Sequence, residues 1–239
     1  MKDFYTEEYF KKRWKYNLDS WLPIVRTIAR TLVEEFDPKS VLDVGCAKGH
    51  LVYAFKGLGL EAYGVDISEY AISQSPPEVR DHLSNVDVDH EQLPFADQTF
   101  DLVNASEVME HLTNHRNLLS EIRRVLRARG IVHIMAERRH ATFLARLVGA
   151  RAFGHLGRNP THINIHPKSF WIREFESHGF NYIGDLARQA LKEVIHLSPP
   201  QSEMGRLLLK LGAPGRWLRV ELGFALRRES LLFRKAWGE

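Results

Sequence analysis

Apolar positions recur at three- and four-residue spacing between 18 and 36: Leu18, Trp21, Leu22, Val25, Ile28, Ala29, Leu32, Val33 and Phe36. That spacing predicts an amphipathic helix with one buried face. Asp37-Pro38 ends it, because a residue before proline is driven out of the helical region. The period then changes. Short apolar runs predict strands at 40–44, 61–65, 82–88, 100–104 and 130–136. Helices are predicted at 49–56, from Ser68 onward, and at 114–127. Strand and helix alternate with no hairpin signal between them, the pattern of a parallel sheet covered on both faces. Right-handed crossovers place the ligand crevice of such a sheet beyond the carboxyl ends of its strands.

After residue 137 the rhythm changes. Residues 138–165 read as irregular and are rich in Arg, His and Gly. A helix is predicted at 167–178, closed by Gly179, then strands at 180–184 and 230–235. Between those strands, 186–228 reads as an apolar, basic, mostly helical insert broken at Pro199-Pro200 and Gly212-Ala213-Pro214. The expected fold is α/β: a Rossmann-like, mostly parallel sheet of about seven strands, the last one antiparallel, with helices on both faces and the helical insert before the final strand. One domain is expected over 1–239, made of a helical cap (1–37), a crevice-bearing core (38–137) and a C-terminal region (138–239).

Composition adds exclusions. Hydrophobic residues are 44% and charged residues 26% of 239, ordinary for a soluble globular chain, so disorder is excluded as a description of the whole. Cys46 is the only cysteine, which excludes an intrachain disulfide and a Cys-rich zinc module. The start has no apolar signal core, and no run of about 18 apolar residues occurs, so a cytoplasmic protein without a spanning helix is expected. The net charge of +3 conceals an asymmetry. Residues 1–119 hold 12 Lys and Arg against 20 Asp and Glu, a net −8, while 120–239 hold 21 against 10, a net +11. Either the two halves meet different partners, or they neutralise each other where they pack. Within 206–228, Arg216, Arg219 and Arg227 fall within about 80° of one another on a helix, beside an apolar set. Such a face suits peripheral contact with an anionic membrane, a phosphate-bearing ligand, or a solvated cover over the sheet. Nucleic acid is disfavoured, since nothing resembles an RNA-binding module.

The densest chemistry lies at Val41-Leu42-Asp43-Val44-Gly45-Cys46-Ala47-Lys48-Gly49-His50. Glycine serves where a strand turns sharply into a helix and a ligand approaches the backbone. The G-x-G-x-x-G triplet of dinucleotide sites is absent, which argues against an NAD oxidoreductase. A carboxylate just before the turn repels a pyrophosphate and suits a cationic amino group. Asp66, 21 residues after Gly45 in Gly64-Val65-Asp66-Ile67-Ser68, is placed to accept two hydrogen bonds from a ribose diol. Cys46 reads as a small packing residue more readily than as a reactive thiol.

Over about residues 38–137 the chain resembles the class I S-adenosylmethionine-dependent methyltransferases. The matching pieces are the stretch from Leu42 to Gly49, Gly64-Val65-Asp66-Ile67-Ser68, Asp89-His90-Glu91-Gln92-Leu93-Pro94-Phe95 with Phe100-Asp101-Leu102-Val103, and Glu107-Val108-Met109-Glu110-His111-Leu112. Arg124-Val125-Leu126-Arg127 before Gly130-Ile131 is similar to the family's approach to strand five. Ala47 stands where many members carry glycine. The resemblance implies S-adenosylmethionine as cofactor. It implies that Asp43 lies near the methionine amino end, that Gly45, Cys46 and Ala47 pass beside methionine and ribose, and that Gly49 belongs to the cofactor-binding set. It implies that Asp66 holds the ribose, Ile67 packs on adenine, Asp89 bonds the adenine amino group with His90 as a backbone donor, and Glu107 lies near the sulfonium. Aromatic residues such as Tyr5, Tyr9 and Trp14 are expected to close over the site.

Methyl transfer to a hydroxyl requires a group that removes a proton. His111, after strand four, is expected mainly to bond backbone or pack. In Pro160-Thr161-His162-Ile163-Asn164-Ile165-His166-Pro167 an extended backbone puts His162, Asn164 and His166 on one face. His162 is the expected base there, with Asn164 orienting the acceptor. A metal-ligating pair ranks lower, because no third ligand is evident in sequence. Glu137 is a further candidate base, beside Arg138 and Arg139, which suit an anionic acceptor. The expected acceptor is a hydroxyl or amine of a small molecule or a sugar or glycan. The alternatives are an RNA or protein methyltransferase using the basic half, and a non-catalytic S-adenosylmethionine-binding protein.

Overall fold

The computed structural model describes residues 4–13, 18–137, 161–186 and 228–236. Two helices, α1 (Glu7–Arg13) and α2 (Leu18–Phe36), precede β1 (Ser40–Val44). Next come α3 (His50–Lys56), β2 (Glu61–Asp66), α4 (Glu69–Ser73), α5 (Pro77–Arg80), β3 (Leu83–Asn85) and β4 (Phe100–Ser106). A short 3-10 turn (Met109–His111), α6 (His115–Val125), β5 (Leu126–Glu137), α7 (Lys168–Ser177), β6 (Phe180–Asp185) and β7 (Arg228–Lys235) follow.

The seven strands form one sheet in the order β3-β2-β1-β4-β5-β7-β6. The first five are mutually parallel. β7 runs antiparallel between β5 and β6, so the final strand enters the sheet and is not its edge. All five residues of β1 are buried, as the central position of a doubly covered sheet requires. One face packs against α2 and α3 through Ala29, Leu32, Val41, Phe55 and Leu102. The other packs against α6 and α7 through Leu118, Ile122, Val103, Trp171 and Phe233. Among the described residues no helix is long and apolar enough to cross a membrane.

The boundaries differ from expectation at two strands. β3 is confined to Leu83–Asn85, because a turn begins at once: His90 and Glu91 both donate to the Asp87 carbonyl, 3.0 and 2.7 Å away. β5 starts at Leu126, several residues early, and α6 stops at Val125. Gln98 and Thr99 donate to the carbonyls of Arg124 and Val125, drawing the end of α6 toward β4. Arg129, at φ 64°, absorbs a register shift in the β4–β5 pairing. Apart from its end residues, the expected insert at 186–228 lies outside the described residues, as do residues 138–160 and Trp14.

Candidate active site

The strand order reverses direction at β1, between β2 and β4, and the crevice opens beyond the strands' carboxyl ends there. Gly45 makes the turn after β1 at φ 73°, and a side chain there would run into Val108 of the loop after β4. The Gly45 and Cys46 amides both donate to Val65 O at the end of β2, 2.8 and 3.0 Å away. Ala47 is left-handed, at φ 48°, and its amide donates to Asp66 Oδ2 at 2.7 Å. Ser68 donates its amide to Asp66 Oδ1 at 2.8 Å, so one carboxylate ties the first two loops together. Burial pushes the Asp66 carboxyl up, and these two amides draw it back. Gly49 caps α3 at φ 69°, where a Cβ would press on Leu83. Its task is packing of the turn. Cys46 is buried and its thiol is held well above the usual range by burial and by Asp66, so it stays a protonated packing residue.

Asp43 sits beneath this loop, almost fully buried. Its Oδ1 accepts a 2.6 Å bond from Asn104 Nδ2. Asn104 Oδ1 in turn lies 2.6 Å from His133 Nδ1 and accepts from Ser106 Oγ at 3.0 Å. Asp43, Asn104 and His133 are direct cross-strand partners on β1, β4 and β5, so the network crosses three central strands in register. Burial raises the Asp43 carboxyl to about 7, against the Asn104 bond, and lowers the His133 imidazole to about 4. Asn104 and His133 were not expected as site residues. Their signal was a polar residue interrupting each apolar strand run.

This donor set fits the expected cofactor. Asp43 on β1 and Asp66 at the end of β2 lie within electrostatic reach of each other, and Glu107 follows directly after β4, so three carboxylates come from the central strands and the loop after them. Glu107 holds φ 61°, and its amide donates to Met135 O at 2.7 Å, which fixes the loop against β5. An acidic crevice of this kind favours a ligand carrying ammonium and sulfonium charges and disfavours a pyrophosphate. Asp89 and His90 also serve the chain itself. Both Asp89 oxygens are used by the chain: Oδ1 accepts from the Asn114 amide at 2.6 Å, and Oδ2 accepts from the amide and hydroxyl of Thr113. The His90 amide is spent on Asp87 O, and its side chain is exposed against Asp87.

On the acceptor side the N-terminal segment does reach the crevice. Ser68 Oγ donates to Tyr5 O at 2.6 Å, and Tyr5 Oη lies 3.0 Å from His111 Nδ1. Tyr5 packs edge-on to Tyr9. His111 Nδ1 also meets Thr161 O at 3.1 Å, the backbone bond expected of it. His111 and His162 are brought ring to ring, centroids 4.7 Å apart. The Ile163 and Asn164 amides donate to Glu110 O at 2.9 and 3.0 Å, pinning the 161–166 segment beside the loop after β4. Glu110 is fully buried and joins the two histidines: one ligand atom from each of the three lies within 4.8 Å of the others. Asn164 is engaged by the protein, through Nδ2 with Met109 O and His115 Nδ1 and through Oδ1 with His166 Nε2, so it anchors the segment and does not face an acceptor. Glu137 ends β5 opposite Arg228 in register; its side chain lies outside what is described.

Sheet order, crevice and donor set define a class I methyltransferase architecture. Residues 42–134 match the family model described as a methyltransferase domain. An O-methyltransferase of ubiquinone biosynthesis from Thiobacillus denitrificans is 33% identical over 121 residues, 47% of this chain and 50% of that protein. This chain thus spans half the length of that relative. Among solved structures, the PH0226 protein of Pyrococcus horikoshii superposes with a TM-score of 0.63 at 16% identity, over 96% of this chain and 99% of that one. An O-methyltransferase of a Brevibacillus brevis polyketide multienzyme, solved with S-adenosylhomocysteine, gives 0.56 at 18% identity, over 88% and 72%. The fold, the family model and these relatives together support a class I S-adenosylmethionine-dependent methyltransferase domain over residues 42–134, with S-adenosylmethionine as cofactor.

Proposed function

We propose that the protein transfers the methyl group of S-adenosylmethionine to a hydroxyl oxygen of a small-molecule acceptor. The observation that supports the reading is the Glu110–His111–His162 cluster, because its groups are able to receive or polarise a hydroxyl proton. The name of the Thiobacillus relative, an O-methyltransferase, points to the same acceptor atom. Asp43 faces the cofactor's ammonium and Asp66 its ribose, with Ile67 against the base and Glu107 near the sulfonium. The cofactor supplies an electrophilic methyl group. In the transfer the carbon–sulfur bond breaks as the carbon–oxygen bond forms, S-adenosylhomocysteine leaves, and the hydroxyl proton is lost to the Glu110–His111–His162 cluster or, when that cluster holds an ion, to water. Tyr5 and His162 restrict the mouth and hold the acceptor in line.

The test is S-adenosylhomocysteine production against phenolic, polyol and sugar hydroxyls, with peptide and RNA acceptors as controls and product mass read by spectrometry. An O-methylated small molecule is expected, with turnover lowered about 10²–10⁴-fold by His162→Ala and cofactor affinity nearly unchanged. Methylation confined to RNA or protein, or full turnover in His162→Ala, refutes the reading.

A further inference from the structure

We propose that Glu110, His111 and His162 bind one divalent transition cation of the Zn²⁺ or Mn²⁺ type. Two imidazoles and one carboxylate form the ligand set of catalytic zinc and non-haem metal sites, which leave further positions open for water or substrate. The three ligand atoms already lie within 4.8 Å of one another. At that full separation a central ion would stand about 2.8 Å from each, so a side-chain adjustment under about 1 Å reaches the 2.0–2.2 Å of metal bonds. Glu110 supplies the negative charge and is fully buried, a position in which a carboxylate is stabilised by a cation.

The surroundings fit as well. His111 Nδ1 meets the Thr161 carbonyl at 3.1 Å and the Tyr5 hydroxyl at 3.0 Å. Bonds of this kind from one imidazole nitrogen fix the tautomer and orient the other nitrogen toward a metal. His162 is held by its own segment, whose neighbouring amides at Ile163 and Asn164 donate to Glu110 O. The ligands come from two elements locked together before any ion arrives. The site stands at the acceptor mouth, where an ion with open positions would bind an acceptor oxygen and acidify its hydroxyl, the proton leaving to water. That role rests on the methyl-transfer reading above; the binding site itself does not.

The experiment uses the untagged full chain, freed of metal by EDTA and dialysis, titrated separately with Zn²⁺ and Mn²⁺ by calorimetry, and with Co²⁺ by visible absorption. One equivalent is expected, with a cobalt ligand-field band free of thiolate charge transfer. His162→Ala and Glu110→Gln should each weaken binding at least about 100-fold, and Tyr5→Phe about tenfold. His162 is half-buried, so His162→Ala decides the matter should the fully buried Glu110 variant fail to fold by circular dichroism. Absence of stoichiometric binding by all three ions, or undiminished binding in folded His162→Ala, overturns the site. S-adenosylhomocysteine affinity is measured in EDTA in parallel. Its retention without metal binding sinks the metal proposal alone, and its loss sinks the methyltransferase reading instead.

Discussion

Ala47 is the residue where local strain and ligand geometry meet. It takes φ 48° in the turn after β1, a region that costs an L-residue roughly 1–2 kcal/mol relative to glycine. In that turn its amide donates to Asp66 Oδ2. In sequence, alanine in place of the family's glycine reads as a mild change of size. The structure makes it a change of backbone freedom instead. Ala47→Gly should therefore raise stability, by up to about 1 kcal/mol once the greater entropy of an unfolded glycine is subtracted. A urea midpoint that falls in this variant would show that the turn relaxes away from the left-handed region. Asp66 is the complementary case. Asp66→Ala loses the tie between the first two loops and, on the proposed reading, the ribose contact, and cofactor affinity should drop about tenfold or more by calorimetry.

Helix α6 shows how an element borrows its cap. Its N-cap residue, Asn114, makes no side-chain capping bond. Asp89 supplies the negative end instead, from the loop after β3, through three bonds to Thr113 and Asn114. These bonds draw the carboxyl below the ordinary range against the effect of burial. Asp89→Ala should cost about 2–4 kcal/mol in chemical denaturation, because α6 then loses the three bonds that cap its first turn. Loss of cofactor affinity without loss of stability would instead return Asp89 to adenine recognition. Period and turn residues made β1, β2, β4 and α2 legible, since each is decided by its own burial pattern. The ends of β3 and β5 were not legible, because remote partners set them: the Asp87 turn for one, and the bonds from Gln98 and Thr99 for the other. Only two of the three residues of the acceptor cluster were readable, for the same reason. His111 and His162 carry chemistry in sequence, but their meeting with Glu110 depends on two amides some 50 residues away in the chain.

At the scale of the molecule, described residues of the basic half pair with carboxylates of the acidic half. Arg124 meets Asp97 at 3.0 Å and Arg127 meets Asp101 at 2.8 Å, each pairing the second half with the first. The same sheet carries a charge conflict at its centre, and this governs the pH response of the whole. Burial lifts Asp43 from about 4 to about 7 and drops His133 from 6.5 to about 4, with Asn104 between them. A raised carboxyl means that the folded state holds a proton the unfolded chain has released between pH 4 and 7. Asp43 therefore lowers stability as pH rises through that window. His133 acts oppositely, costing stability as pH falls from 6.5 toward 4, where the unfolded imidazole protonates first. Asp43→Asn keeps the oxygen that accepts from Asn104 and removes the buried charge. It should match the wild type near pH 4 and exceed it by on the order of 3 kcal/mol at pH 8. On the proposed placement of the ammonium at Asp43, the same variant should bind S-adenosylhomocysteine at least about tenfold more weakly at pH 8, because the counter-charge is removed. Wild-type affinity should itself rise as pH increases through about 7, where Asp43 ionises. A variant with unchanged affinity, or one destabilised equally at pH 4 and pH 8, would mean that Asp43 serves only the packing of β1.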